Sequence, residues 1–142
     1  MDAPAPAALD TALRRTFDKV PGVVSAYLFG SVAAGRAHRD SDLDIGVLLN
    51  RLAYPGARER FEARLDLTGR LGTATRRNDV DVVVLNDAPP HLCRAIVTNG
   101  RRIFCTDAEA DHAFVRTTML RAADLEPFLR RARGVKLSAL KR

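Results

Sequence analysis

The chain has no tryptophan, only two cysteines and two methionines in 142 residues, and an aromatic complement of six Phe and two Tyr. The cysteines, Cys93 and Cys105, form no Cys-x-x-Cys pair, which excludes a disulfide framework and argues against a cysteine zinc site. Both are expected as reduced, packed thiols. The aromatics do not cluster with basic residues, so no aromatic platform for RNA is present. No apolar run approaches the ~20 residues that a membrane span needs. The N-terminal stretch Met1-Asp2-Ala3-Pro4-Ala5-Pro6 has neither a positive n-region nor an apolar h-region, so it does not read as a secretory signal, and a cytoplasmic protein is expected. His38, His91 and His112 do not group with a nucleophile.

What is present is enough for one domain with one sizeable core, since 46% of residues are hydrophobic. Residues 1–6, rich in Ala and Pro, are expected to be disordered. A folded domain is expected over 7–136, followed by a basic tail at 137–142. The net charge is +6, much of it in Arg14-Arg15, Arg76-Arg77, Arg101-Arg102 and Arg130-Arg131. Such a surface attracts nucleotides, nucleic acid or an acidic protein, but solvated helix faces of an Arg-rich chain look the same. A nucleic-acid partner is therefore not favoured.

Periodicity predicts alternating helices and strands, an α/β architecture. Leu9, Leu13, Phe17 and Val20 mark a first helix over 7–19, ended by Pro21-Gly22. Val23 to Phe29 carries no charge and reads as a buried strand, with a short helical turn after it. Leu43 to Leu49 is a second strand. Phe61, Leu65, Leu67 and Leu71 predict a helix over 56–71, ending near Gly69 or Gly72. Val80 to Leu85 is a third strand, whose valine density predicts a central, covered place. A helix near 90–98 is capped by Asn99-Gly100, and Arg102 to Cys105 is an edge strand. Asp107 to Arg133 reads as helical, with Phe114, Val115, Leu120, Leu125, Phe128 and Leu129 as its apolar stripe. Pro127 is expected to break or kink it, and Gly134 to end it.

One compound pattern carries chemistry. Gly30-Ser31-Val32-Ala33-Ala34-Gly35 follows the first strand, and Ser41-Asp42-Leu43-Asp44 opens the second. A glycine turn lets the backbone approach a phosphate, and the Ser31 hydroxyl with the following N–H groups can donate to it. Asp42 and Asp44 project from one face of a strand, roughly 6.5–7 Å apart at Cα, near enough to touch one ion or an adjacent pair. Mg²⁺ suits carboxylates combined with substrate phosphates. Asp79 and Asp81 also share a face, and Asp81, just inside the valine run, is the better third acid. Three such acids would repel one another and raise at least one pKa. Alone, Asp-x-Asp also serves as a strand cap or turn; ten residues after Gly30-Ser31 it describes a triphosphate and metal site.

Gly30-Ser31, Asp42-Leu43-Asp44 and Val80-Asp81-Val82-Val83-Val84-Leu85 together resemble the minimal nucleotidyltransferases of the DNA polymerase beta superfamily. Leu85-Asn86-Asp87-Ala88-Pro89-Pro90 and Ile96 to Phe104 are similar to its antitoxin branch, the MNT partners of HEPN toxins. The resemblance implies a small mixed β-sheet flanked by helices and transfer of AMP from ATP to a tyrosine hydroxyl of a HEPN ribonuclease toxin, which silences it. It implies that Asp42 and Asp44 ligate Mg²⁺, that Asp81 completes the metal site or acts as base, and that Gly30 and Ser31 hold the triphosphate. The chain departs from the pattern at Ala34, where an Arg is frequent, and at Val84, where a further acid is frequent. Arg36, Arg39 and Arg76-Arg77 are alternative cations for the phosphates. Two other readings fit the same residues: an antitoxin that neutralises by contact alone, and a nucleotidyltransferase with a small-molecule or RNA acceptor.

Overall fold

A computed structural model describes residues 6–33, 35 and 42–140. The elements run α1 (Pro6–Asp18), β1 (Val23–Phe29), α2 (Gly30–Ala33), β2 (Leu43–Leu49), α3 (Ala57–Thr75), β3 (Val80–Val84), α4 (Pro90–Asn99), β4 (Arg101–Cys105) and α5 (Ala108–Leu140). The four strands form one mixed sheet in the order β3-β2-β1-β4. β1 is antiparallel to both β2 and β4, whereas β2 and β3 are parallel. The α/β class and the bounds of β1 and β2 are as the sequence predicts.

Alternation sorts the strand residues onto two covered faces. One face carries Leu43, Ile45, Val47 and Leu49 of β2, packed with Leu9, Leu13 and Phe17 of α1 and Leu67 and Leu71 of α3. The other carries Leu48, Tyr27 and Val24 against Cys93 and Ile96 of α4, with Phe114 of α5 beside them. Gly46 lies on this second face, where a Cβ would come within 3.0 Å of Ile96 and 3.2 Å of Leu85. Glycine there lets α4 sit down on β2. The guanidinium of Arg60, nearly buried on α3, donates to both carboxylate oxygens of Asp87 and to the Tyr54 carbonyl, tying α3 to the loop before α4.

Several expectations need correction. β3 is an edge strand, not a central one. Its valines are covered by the α3 face, with Val82 and Val84 buried, and valine density reports burial of a face rather than pairing on both sides. The pairing that β3 would continue is taken over by Asn86, whose side chain accepts from the Leu49 N–H and donates to the Leu49 carbonyl. α3 runs through Gly69 and Gly72 to Thr75, because Leu71 and Thr75 extend its buried stripe. Phe61 and Leu65, expected on that stripe, are more than half exposed. Gly100 does cap α4, its N–H bonded to the Ile96 carbonyl.

α5 is one helix that continues past both Pro127 and Gly134. The carbonyl that Pro127 leaves without a donor belongs to exposed Ala123, where water can meet it. The buried face of α5 is Asp111, Thr118 and Ala122, while Leu120 is 70% and Phe128 is 62% exposed. Of the predicted stripe, Phe114 packs on the second core cluster, whereas Leu120, Leu125 and Phe128 are exposed, and Asp111 anchors the helix to the body. The Arg131 guanidinium covers the Phe128 ring at 4.9 Å. Cys93 and Cys105 are free thiols, as expected. Among the described residues no helix is long and apolar enough to cross a membrane.

Candidate functional site

The end of β1, the start of β2 and the start of β3 meet at one edge of the sheet. In the β1–β2 register Phe29 pairs with Asp44, so Gly30 follows directly beside that acid. In the parallel β2–β3 register Asp44 pairs with Asp81. Paired residues of neighbouring strands project from the same face, so the two carboxylates stand side by side. Asp42, two residues before Asp44 and exposed, adds a third acid near them. The sequence preference for Asp81 over Asp79 matches this register. The backbone of Asp79 has a different task, its carbonyl accepting the Leu43 N–H at 2.9 Å.

The electrostatics follow from the crowding. Burial, then the neighbouring charge of Asp81, then that of Asp42, push the Asp44 carboxyl above its ordinary value. The repulsion expected of three gathered acids is therefore present at the innermost of them. Arg64 of α3 lies 3.8 Å from Asp81. Arg64 was not anticipated; its place on α3, beside the edge strand, is visible only once β3 is known to lie at the edge.

Gly30 fits this site in two ways. Its φ is +76°, a left-handed conformation that side chains rarely adopt, and a Cβ there would fall on the Asp44 carboxylate. The turn is thus pressed against the acid at a distance only glycine allows. Ser31 continues α2, a single turn ending at Ala33, and Gly35 takes φ +72° beyond it. Arg36 and Arg39, named above as alternative cations for the phosphates, and His38 lie outside the described residues. Arg76 caps α3 in a left-handed conformation and Arg77 donates its N–H to the Gly72 carbonyl, so the pair sits on the turn that leads to Asp79 and Asp81. His91 and His112 are exposed, on α4 and α5.

Among the described residues, no three His, Cys, Asp or Glu side chains close on one point as a ready-made ion cage. The donor set nevertheless fits a hard divalent cation that takes part of its shell from substrate: oxygen donors only, partly desolvated, with net negative charge. A turn pressed against Asp44 brings any phosphate held there next to the acids.

Residues 11–109 match the family described as polymerase beta, nucleotidyltransferase. A relative named protein adenylyltransferase MntA, from Shewanella oneidensis strain MR-1, is 35% identical over 102 residues, 70% of this chain and 67% of the relative. A solved toxin–antitoxin structure with AMP-PNP contains a chain that superposes with a TM-score of 0.68 at 28% identity, over 94% of this chain and 98% of that one. At 24% identity, a chain in the complex of the tri-AMPylated Shewanella oneidensis HEPN toxin with its MNT antitoxin shares the fold, with a TM-score of 0.62 over 94% of this chain and 97% of that one. The strand register around Asp44, the glycine turn against it and these matches agree: the chain belongs to the polymerase beta nucleotidyltransferase family.

Proposed function

We propose that this protein is the antitoxin of a toxin–antitoxin pair and acts by transferring AMP from ATP to a hydroxyl, in the first instance a tyrosine, of a HEPN-type toxin. One observation carries the reading: Asp44 stands paired with Asp81, beside Asp42, with the Gly30 turn against its carboxylate. Such an arrangement destabilises a fold and is useful only to a cationic or metal-bearing ligand. Its support from relatives is the 35% identical protein adenylyltransferase and the similar toxin–antitoxin chain solved with an ATP analogue.

In this reading Gly30 and Ser31 hold the triphosphate, and Asp42, Asp44 and Asp81 are the acids that hold Mg²⁺. Bound there, Mg²⁺ would supply the positive charge that the phosphates and the acids both lack. The acceptor oxygen attacks the α-phosphorus, a P–O bond forms, the bond to the bridging oxygen breaks, and pyrophosphate leaves. Asp81, exposed like Asp42 but carried by the edge strand β3, is open to an incoming hydroxyl and serves either as the third ligand or as the acceptor of its proton. Asp42 and Asp44 are committed to the ion. The protein works in the cytoplasm, where ATP is available.

The test is transfer of label from α-labelled ATP to the toxin encoded beside this chain, with Mg²⁺ present. Label on the toxin, lost in both Asp42→Ala and Asp44→Ala, is the expected result. A stable complex that neutralises the toxin without label, and equally well in both variants, would replace catalysis with neutralisation by contact. Label on RNA or a small molecule instead would move the acceptor but keep the chemistry.

A further inference from the structure

The second face of the sheet holds a cleft of about 480 Å³ at the end away from Asp44. On β2 the acids and the cleft share that face: Asp44, Gly46 and Leu48 alternate along it, and Leu48 lines the cleft about 13 Å from Asp44 along the strand. Between the two lies the contact of Ile96 with Gly46. The apolar wall is built by Val24, Leu48, Leu85 and Phe114.

The polar lining is unusual in sign and in satisfaction. No Asp or Glu lines the cleft, whereas Arg51 and Arg121 do. Neither arginine has an ion-pair partner among the described residues. Burial pushes the Cys93 thiol up, and its sulfhydryl donates to the Leu85 carbonyl, so it adds no negative charge. Asn50 and Asn86 spend their side-chain oxygens on backbone N–H groups.

Thr118 is the decisive residue. It is 4% exposed, lines the cleft, and its hydroxyl makes no hydrogen bond with any described residue. The other buried helix threonines behave differently. Thr16 and Thr75 return their hydroxyls to the carbonyls of Ala12 and Leu71, at 2.9 and 2.7 Å. Its oxygen is not among the buried atoms left without a partner, so it opens to the cleft and is free to donate to whatever lies there.

We propose that this cleft is a binding site for a small amphipathic organic anion, with its apolar body on Val24, Leu48, Leu85 and Phe114 and its anionic head met by Thr118 and Arg121. The volume is that of small-ligand sites in general, and an apolar wall with few convergent polar groups is their usual lining. The ligand's charge is set by two arginines without partners and no acid.

The full chain is titrated with 1-anilinonaphthalene-8-sulfonate, and the bound probe is competed with octanoate and with octan-1-ol. Saturation at one probe per chain is expected, with octanoate displacing it roughly tenfold better than octanol. Thr118→Val and Arg121→Gln are each expected to weaken octanoate by about tenfold, the worth of one hydrogen bond to a charged group. Ala113→Phe, which crowds the mouth from an exposed position, abolishes displaceable binding. Thr118→Val changes no volume to speak of, so its effect is readable even if the bulkier variant folds poorly. Unsaturable binding, or octanoate affinity unchanged in both Thr118→Val and Arg121→Gln, would overturn the proposal. So would octanoate failing to bind while Ala113→Phe loses its toxin partner, which would assign the cleft to a protein side chain.

Discussion

Two carboxylates on the same side of this sheet live in opposite circumstances. Asp111 of α5 is 2% exposed and fully answered. It accepts from the Ser25 hydroxyl at 2.6 Å, from the Tyr27 hydroxyl at 2.7 Å and from Arg102 at 3.0 Å. Burial first, then the bond to this carboxylate, push the Tyr27 phenol above its ordinary value, so it stays protonated as a donor. Two register positions along β1 from Tyr27, Phe29 faces Asp44, whose charged neighbours are acids. Asp111 shows what a buried acid needs when its task is to join β1, β4 and α5. Among the described residues Asp44 has none of it and is crowded by Asp42 and Asp81, which suits it to meet something from outside.

Substitutions break the comparison in different ways. The largest effect falls on activity: Asp44→Asn is expected to lower the rate of label transfer at least roughly a thousandfold, about 4 kcal/mol of transition-state stabilisation. Next is Asp111→Ala, which strands three donors and is expected to cost roughly 3 kcal/mol of folding free energy. A denaturant titration measures it, and an unchanged midpoint would mean that the cluster holds nothing together. Gly30→Ala follows, at about 1–2 kcal/mol from the left-handed backbone alone. Because its new methyl would meet Asp44, its transfer rate should fall further than its stability does.

The fourth effect has the opposite sign. Asp44 keeps its proton to higher pH in the folded chain than in the unfolded one. The folded state therefore binds more protons between the ordinary carboxylate value and the raised one, and stability falls as pH rises through that interval. Below the ordinary value the cost is absent; above the raised value it is complete. Thermal scans of Asp44→Asn should show a Tm about 1–4 °C above the unsubstituted chain at neutral pH, with a flatter pH profile. The smallest effect is at Arg70, half exposed and paired with Asp66, where Arg70→Ala should change stability by less than about 0.5 kcal/mol.

The legible part of this chain was that governed by local pattern. Val23–Phe29 and Leu43–Leu49 read as strands because short apolar runs, the second charged only at Asp44 near its start, ended by Gly30 and Asn50 admit little else. Gly30, Asp44 and Asp81 come together because each lies at or beside a strand end, where register follows from the alternation of neighbours. What depended on lateral or long-range pairing was not legible. The edge position of β3 is not legible, since its valines cannot tell a covering helix from a neighbouring strand. The α5 stripe was drawn through Leu120 and Phe128, because apolar periodicity gives no weight to Asp111. That residue is inward because Ser25 and Tyr27, distant in sequence, and Arg102 converge on it. Arg64 was missed for the same reason.

If the acids around Asp44 are kept at a cost to the fold because a metal-bound triphosphate needs them, removing one raises stability and blunts the response to ligand. Thermal unfolding of the unsubstituted chain and of Asp44→Asn, each with and without Mg²⁺ and a non-hydrolysable ATP analogue, tests it most directly. Asp44→Asn is expected to melt higher in the absence of ligand and to gain little on its addition, while the unsubstituted chain gains more. Asp44→Asn melting lower without ligand, or equal gains in both proteins, would contradict it.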